Sequence, residues 1–380
     1  MPALNERFTA RVRALSSEGN GIVEHRSGQV FFVPGVWPGE SGEFRITGFK
    51  SRFGFAVLET LQQPSPQRIV PPCPHQGVGK GDCGGCPWQF VSYEAQLEAK
   101  QARVSLALAR LSAEECIRPI LGSDSIFGYR NRAQLKTDGR VLGFVSHGSR
   151  DLAAVDDCLV LSDKNRATLK AVAATLPNRD LAPGRKQDWT TIDIDEDVSA
   201  DTLVLNQRRP FRQGNSGQNQ RMQAWLAERL AGLDKSIPVL ELFAGSGNFT
   251  QVIAAAGFGR ILAAEGSAEA IEALQARQLP GVEALVCNLF NEDSFDTLRR
   301  RLPDAGIVVL DPPRDGLKQA ARLLPKKHKV RDILYISCDL ATFTRDVGVF
   351  MAKGFKLTEV QPLDLFPHTP HVELLAWLRC

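Results

Sequence analysis

The residue best placed for covalent chemistry is Cys338, in Ile333-Leu-Tyr-Ile-Ser-Cys-Asp-Leu-Ala-Thr-Phe-Thr-Arg-Asp346. An apolar strand that passes directly into a helical pattern puts this cysteine on the lip of a sheet, where open α/β folds keep their reactive groups. The partial positive charge at a helix N-terminus favours a thiolate, so the spacing predicts a lowered thiol pKa. A lone cysteine there reads equally well as a small buried apolar side chain, and its neighbours decide. Glu373 opens the last apolar run, after the Pro- and His-rich Leu365-Phe-Pro-His-Thr-Pro-His-Val372. A carboxylate at the start of an edge strand is either plain surface charge or a base held by a loop folded over the sheet.

A second constellation is a nucleotide site. Val239-Leu-Glu-Leu-Phe-Ala-Gly-Ser-Gly-Asn-Phe-Thr250 reads as a strand, a glycine turn and a helix. Gly245 and Gly247 let the backbone approach a ligand, and Glu265, at the end of the next strand, can accept both hydroxyls of a ribose. Dinucleotide enzymes share this pattern. The third glycine of their fingerprint is missing, with Asn248-Phe-Thr250 in its place, and Glu241 suits a cationic sulfonium ligand better than a diphosphate. S-adenosylmethionine is the expected ligand.

The third constellation is sulfur. Of eight cysteines, Cys73, Cys83 and Cys86 fall close together in a Gly/Pro-rich stretch. A chain expected in a reducing compartment does not use them as a disulfide framework, so the cluster asks for structural zinc or an iron–sulfur centre.

Several elements must position these groups. Residues 1–62 show short strands with turns at Ser17-Glu-Gly-Asn-Gly21 and Pro38-Gly39, which predicts a small oligonucleotide-binding barrel. A Pro-rich linker opens a β-rich central domain over 63–205, whose helix at 92–112 is expected to pack on the catalytic domain. From 206 to 380 helix and strand alternate, which predicts a mostly parallel α/β sheet closed by a terminal hairpin at its edge. A strand is predicted at Thr202–Leu205 and a helix from Arg221.

Bulk properties are ordinary: 380 residues, 43% hydrophobic, 23% charged and a net charge of +3. Basic residues cluster, with four arginines and no acid between Thr202 and Met222 and seven Lys/Arg against one Asp between Arg314 and Arg331. Patches of this kind suit a polyanion, although solvated faces look the same. No apolar run is long enough for a membrane span and no signal-peptide core is visible. A cytoplasmic monomer with RNA as partner and no membrane association is expected.

Glu241–Thr250, Leu310-Asp-Pro-Pro-Arg-Asp-Gly316, Ser337-Cys-Asp339 and Asp364-Leu-Phe-Pro-His-Thr-Pro-His-Val-Glu373 resemble, in order, the signature blocks of the RNA 5-methyluridine (uracil-C5) methyltransferase family. Residues 1–62 resemble its TRAM domain. The resemblance implies a class I Rossmann-like methyltransferase domain, Cys338 as nucleophile and Glu373 as base. It further implies cofactor contacts at Gln213, Phe243, Asn248, Glu265, Asn288 and Asp311. Cys73, Cys83, Cys86 and Cys158 resemble the four [4Fe-4S] ligands of the family's ribosomal-RNA branch, although nine residues part Cys73 from Cys83 where about five are usual. Ribosomal RNA is therefore expected ahead of the transfer-RNA T-loop. A cytosine-5 enzyme would want a second cysteine near Asp311-Pro-Pro, and an amino-group methyltransferase would want an aromatic after those prolines. Neither is present. An RNA-binding factor with an inactive methyltransferase fold would have no use for the intact cofactor residues, Cys338 and Glu373.

Overall fold

The computed structural model describes residues 2–146, 148–207, 209 and 211–380. The chain forms two compact units. One comprises Met1–Glu98, Ser125–Arg208 and Phe366–Pro370, the other Ala99–Asp124, Arg209–Leu365 and His371–Cys380.

In the first unit, β1 (Arg7–Arg11), β2 (Ala14–Leu15), β3 (Gly21–Glu24), β4 (Val30–Val33), β5 (Ser41–Phe49) and β6 (Phe53–Gln63) form one sheet in the order β1-β5-β6-β4-β3-β2. Its two edges are consecutive stretches of chain, so the sheet curls back on itself at Val12 and Arg13. Alternation sets its faces. Phe44 and Ile46 on β5 point into a core with Val23, Phe31 and Val33, while Glu43 and Arg45 stay half-exposed.

Helix α1 (Tyr93–Ala109) begins in this unit and runs on into the second, where Val104 and Leu108 join the core. A second sheet of the first unit holds β7 (Arg132–Thr137), β8 (Leu142–Val145), β9 (Leu152–Ala154) and β10 (Thr190–Asp195), in the order β10-β7-β8-β9. Helix α2 (Asp163–Ala173) adds Leu169 and Val172 to the core formed with Leu135 and Ile192. The strand predicted at Thr202–Leu205 does not form. Ala200–Thr202 is a 3-10 turn, because the Thr202 hydroxyl accepts from Ser199 N at 3.1 Å, and only a single bridge joins Leu205 to Ile192.

The second unit runs α3 (Ser216–Ala231), β11 (Val239–Leu242), α4 (Thr250–Ala255), β12 (Ile261–Glu265), α5 (Ala268–Ala276), β13 (Val282–Val286), α6 (Asp293–Arg301), β14 (Ile307–Leu310), α7 (Ala320–Leu323), β15 (Asp332–Ser337), α8 (Leu340–Ala352), β16 (Lys356–Leu363) and β17 (Glu373–Arg379). Strand order is β13-β12-β11-β14-β15-β17-β16, parallel from β13 to β15, with β17 antiparallel to both its neighbours. Helix α3 starts at Ser216 and not at Arg221 because the Asn215 side chain caps it, accepting from Gln218 N at 3.1 Å. Strands β11, β14 and β15 are buried along their whole length, as parallel strands covered on both faces must be. The exception to their apolar character that matters is Glu241, a buried carboxylate on the interior strand β11.

Candidate active site

Parallel strands deliver their C-terminal ends to one edge of the sheet. Phe243 follows β11, Glu265 ends β12, Asp311 follows β14 and Cys338 follows β15. Strand β17 runs the other way, so its first residue, Glu373, arrives at that same edge. Ser337 pairs with Leu374, the last pair of the ladder, and the same register continued by one residue sets Cys338 opposite Glu373, whose charge acts on the thiol. Residues facing each other across neighbouring strands hold their Cβ atoms about 5 Å apart.

The charges around this pair oppose ionisation. Burial pushes Glu373 up to about 8, with Asp311 adding to the effect and Arg314 countering it. Burial likewise pushes the Cys338 thiol up to about 12, helped by Glu373, Asp311 and Asp339 and countered by Arg314. The lowered thiol pKa expected from the helix N-terminus is therefore not found. Asp339 is the N-cap of α8 and accepts from Thr342 N at 2.9 Å, so a carboxylate already serves the free N–H groups and sets its own negative charge beside the sulfur.

Arg314, the base directly after Asp311-Pro-Pro, is a charge of this site that the sequence alone does not single out. Its turn is clamped to α8: the Thr342 hydroxyl donates to Arg314 O (3.1 Å), and buried Asp346 accepts from Leu317 N (2.7 Å) and from the Tyr335 hydroxyl (2.8 Å). Gly316 has φ +66°, and a Cβ there would collide with Arg345, Asp346 and Thr342.

On the nucleotide side, Phe243 takes φ 61° and meets Phe290 edge-on with ring centroids 6.0 Å apart. Gly245 has φ +54°, and no atom lies within 4 Å of where its Cβ would be, so the turn faces open space. Glu265 braces that turn, accepting from Gly245 N at 3.1 Å and Ser267 N at 2.9 Å. Gln213 donates to Asp311 at 3.3 Å, and burial still pushes Asp311 up to about 7. Asn248 turns its amide towards α3, exchanging hydrogen bonds with Asn219 at 2.8 and 3.0 Å and accepting from Gln223 at 2.9 Å. Asn288 is exposed and accepts from Phe290 N at 3.1 Å. Gln213 and Asp311 thus meet directly, Phe243 and Glu265 flank the glycine turn, and Asn248 and Asn288 are occupied with local partners.

Glu241 is 2% exposed; its Oε2 has no hydrogen-bond partner, and burial pushes it up to about 8, with nearby Thr250 countering the rise and Asp311 adding to it. A buried orphan carboxylate oxygen close to a second proton-holding carboxylate fits a cationic ligand. That is the chemistry of a sulfonium nucleoside bearing an amino group.

The sulfur cluster lies in the first unit. Cys73, Cys83, Cys86 and Cys158 line one cavity together with Phe144, Val155 and Val160. Cys83 N donates to His75 O at 2.7 Å, which sets the intervening residues aside as a turn closed by Gly79 N on Asp82 at 2.8 Å. The long Cys73–Cys83 spacing is absorbed in this way. Burial raises the Cys83 and Cys86 thiols and pushes Cys158 up to about 11, with neighbouring sulfurs adding to the rise of these three. Among the described residues no three His, Cys, Asp or Glu form a group that could hold a single metal ion. Of the other cysteines, Cys116 donates to Leu357 O at 2.9 Å, Cys287 is buried and Cys380 exposed.

Over residues 184–283 and 299–380 the sequence matches the family tRNA (Uracil-5-)-methyltransferase. It is 43% identical to an "uncharacterized RNA methyltransferase" of Nitrosomonas europaea, with 97% of this chain and 96% of that one covered. A 23S rRNA (uracil(1939)-C(5))-methyltransferase of Halomonas elongata is 30% identical, with 97% and 88% covered. The crystal structure of Pyrococcus abyssi tRNA (uracil-54, C5)-methyltransferase with S-adenosyl-L-homocysteine shares the fold, at TM-score 0.70 and 23% identity over 97% of this chain and 99% of that one. With the strand order and the strand-end site, these matches establish that the chain belongs to the tRNA (Uracil-5-)-methyltransferase family of S-adenosylmethionine-dependent RNA methyltransferases.

Proposed function

We propose that this enzyme methylates carbon 5 of a uridine in large-subunit ribosomal RNA through a covalent adduct with Cys338. The observation that carries the reading is the placement of Cys338 opposite Glu373, with Asp311 and Arg314 acting on both. Carbon 5 of uracil is a poor nucleophile. The Cys338 thiol gives up its proton to solvent and the sulfur adds to C6, which turns the ring into an enolate and moves electron density to C5, which then takes the methyl group. Glu373 removes the C5 proton, the C5–C6 double bond re-forms and the C6–S bond breaks. A carboxylate with a raised pKa is a stronger base for this step than an ordinary one, and Arg314 favours the ionised forms of both groups.

S-adenosylmethionine, when bound, supplies a methyl group on a positively charged sulfur. Glu241, Asp311 and Gln213 would face its charged end and Glu265 its ribose, with Phe243, Asn248 and Asn288 as further contacts. The four cysteines would hold a [4Fe-4S] cluster in a structural role. Four thiols lining one cavity supply the ligand set that a [4Fe-4S] cluster needs.

Residues 1–62 act as an OB-like TRAM barrel, 63–205 as the cluster domain and 206–380 as the catalytic domain, in a monomer. The curled six-stranded sheet supports an RNA-binding role. Its outer face carries Phe32, Phe53 and Phe55 with neighbouring centroids 5.0 and 5.6 Å apart, and Lys50 stands over Phe53 and Phe55 at 5.9 and 5.8 Å. Half-exposed aromatic rings beside a cation suit stacked, unpaired bases. Arg130, Arg209 and Arg212 are further candidates for phosphate contact; Arg132 is instead turned inward, donating twice to buried Asp193 at 3.1 and 2.6 Å, and Arg208 lies outside the described residues. A ribosomal substrate fits a cytoplasmic enzyme.

The relatives named for 23S rRNA carry the choice of ribosomal RNA, while the family name favours a second reading, a transfer-RNA uridine. Unmodified transcripts of both RNAs, offered together with methyl-labelled cofactor, separate the two. Label is expected as 5-methyluridine in the ribosomal RNA. Label mainly in transfer RNA overturns the substrate, and label on any other base overturns the function.

A further inference from the structure

A wholly buried ion pair adjoins the strand end that carries Glu373. Lys100 on α1 and Asp364 just past β16 are both inaccessible to solvent, with Nζ 2.5 Å from Oδ1. Taking two charges out of water is costly even when they pair, and two apolar side chains of similar volume would pack the same space as well. Such a pair calls for a task other than stability.

Its location suggests the task. Leu363 is the cross-strand partner of Glu373 on the β16–β17 ladder, and Asp364 is the next residue. The backbone around Asp364 is fixed on every side. Asp364 N donates to Leu121 O at 2.9 Å, Gln218 Nε2 donates to Asp364 O at 2.7 Å, and Asn215 Nδ2 donates to Leu365 O at 3.1 Å. Beyond this point the chain leaves the second unit at Phe366 and re-enters it at His371. In an ordinary hairpin a tight turn fixes the register of the two strands. This connection is long and departs into the other unit, so the anchorage of Asp364 must do that work.

We propose that Lys100 is a positioning residue for the methyl-transfer reaction: by clamping Asp364 it fixes the end of the β16–β17 ladder, and with it the point from which Glu373 takes the C5 proton. This rests on the reading of Glu373 as the base. The charges acting on Glu373 are Asp311 and Arg314, so Lys100 works through geometry rather than through its field.

Lys100→Met alone strands a buried Asp364 charge and risks the fold, so the decisive variant is Lys100→Met/Asp364→Leu, which removes both charges of the pair. It is compared with wild type and Glu373→Gln in single-turnover methylation of RNA, with covalent protein–RNA adduct followed on denaturing gels. Binding of S-adenosylmethionine and transfer of methyl to C5 should be unchanged. Release of methylated RNA should slow by on the order of 10- to 100-fold, with methylated adduct accumulating. Adding the double change to Glu373→Gln should slow release no further, because both act on one step. A folded double variant that releases product at the wild-type rate, or that slows transfer and release alike, overturns the proposal. A wild-type enzyme that forms no adduct overturns instead the reading of Cys338 and Glu373 beneath it.

Discussion

Glu241→Gln should make the cofactor-free protein more stable at neutral and alkaline pH. The substitution keeps the shape of the side chain and removes its titration. Glu241 has an ordinary value of 4.5, raised to about 8 in the folded chain. A group whose folded pKa lies above its unfolded one contributes stability that is complete below the unfolded value and lost as pH rises through the folded value. At roughly 1.4 kcal/mol per pH unit, the wild type loses up to about 3 kcal/mol by pH 7 and about 5 kcal/mol above pH 8 from this group. Glutamine loses none of it. A gain of about 3 kcal/mol corresponds to roughly 6–12 °C in melting temperature for a unit of this size. Cations of bound S-adenosylmethionine would neutralise Glu241, so saturating cofactor should reverse the order and stabilise the wild type more than the variant. Thermal unfolding by circular dichroism, from about pH 5 to about pH 8.5 with and without cofactor, checks both statements. Equal pH slopes for the two proteins without cofactor would refute the buried, proton-holding Glu241. Equal stabilisation by cofactor would refute its place in the binding site.

Three further outcomes follow from the site geometry and the cysteine cavity. The rate of product release at saturating cofactor and RNA should rise with pH and level off above about 8, because Glu373 must be ionised to act. A flat wild-type profile between about pH 6 and about 9 would mean another base does the work. Arg314→Met removes the cation that counters the rise of both Cys338 and Glu373, so adduct formation at neutral pH should fall by roughly tenfold for each pKa unit gained. Stopped-flow trapping with 5-fluorouridine RNA measures it, and an unchanged rate contradicts the role. Anaerobically purified protein should be brown and contain iron and sulfide, and Cys158→Ala should lose both while the second unit still binds S-adenosylmethionine. Colourless protein with stoichiometric zinc contradicts the cluster.

Local signals in the sequence were enough to read the strand–glycine–helix turn, the buried run ending at Cys338 and the alternating strands of the first unit. Each of these depends on residues within one or two elements. Relations between distant elements were not legible. The insertion of β17 between β15 and β16, which puts Glu373 opposite Cys338, depends on which neighbour the last strand chooses. Pairing of Lys100 with Asp364 spans most of the chain. The raised thiol pKa is hidden for the same reason: the helix N-terminus is visible in sequence, whereas burial and the convergence of Glu373, Asp311 and Asp339 are products of the fold. Helix α6 escapes notice because it is short and mostly charged, burying little beyond Phe295 and Leu298.

The covalent step is tested most directly by identifying the atom that RNA attaches to. Fluorine at C5 cannot leave as the proton does, so RNA with 5-fluorouridine at the target should trap the enzyme after methyl transfer. Trypsin cutting after Arg331 and Arg345 yields a peptide, Asp332–Arg345, in which Cys338 is the sole cysteine. Mass spectrometry should find this peptide carrying one nucleotide of methylated 5-fluorouridine, and Cys338→Ala should yield none while still binding S-adenosylmethionine. Methylated RNA released without any adduct, or an adduct on a different cysteine, would contradict the account.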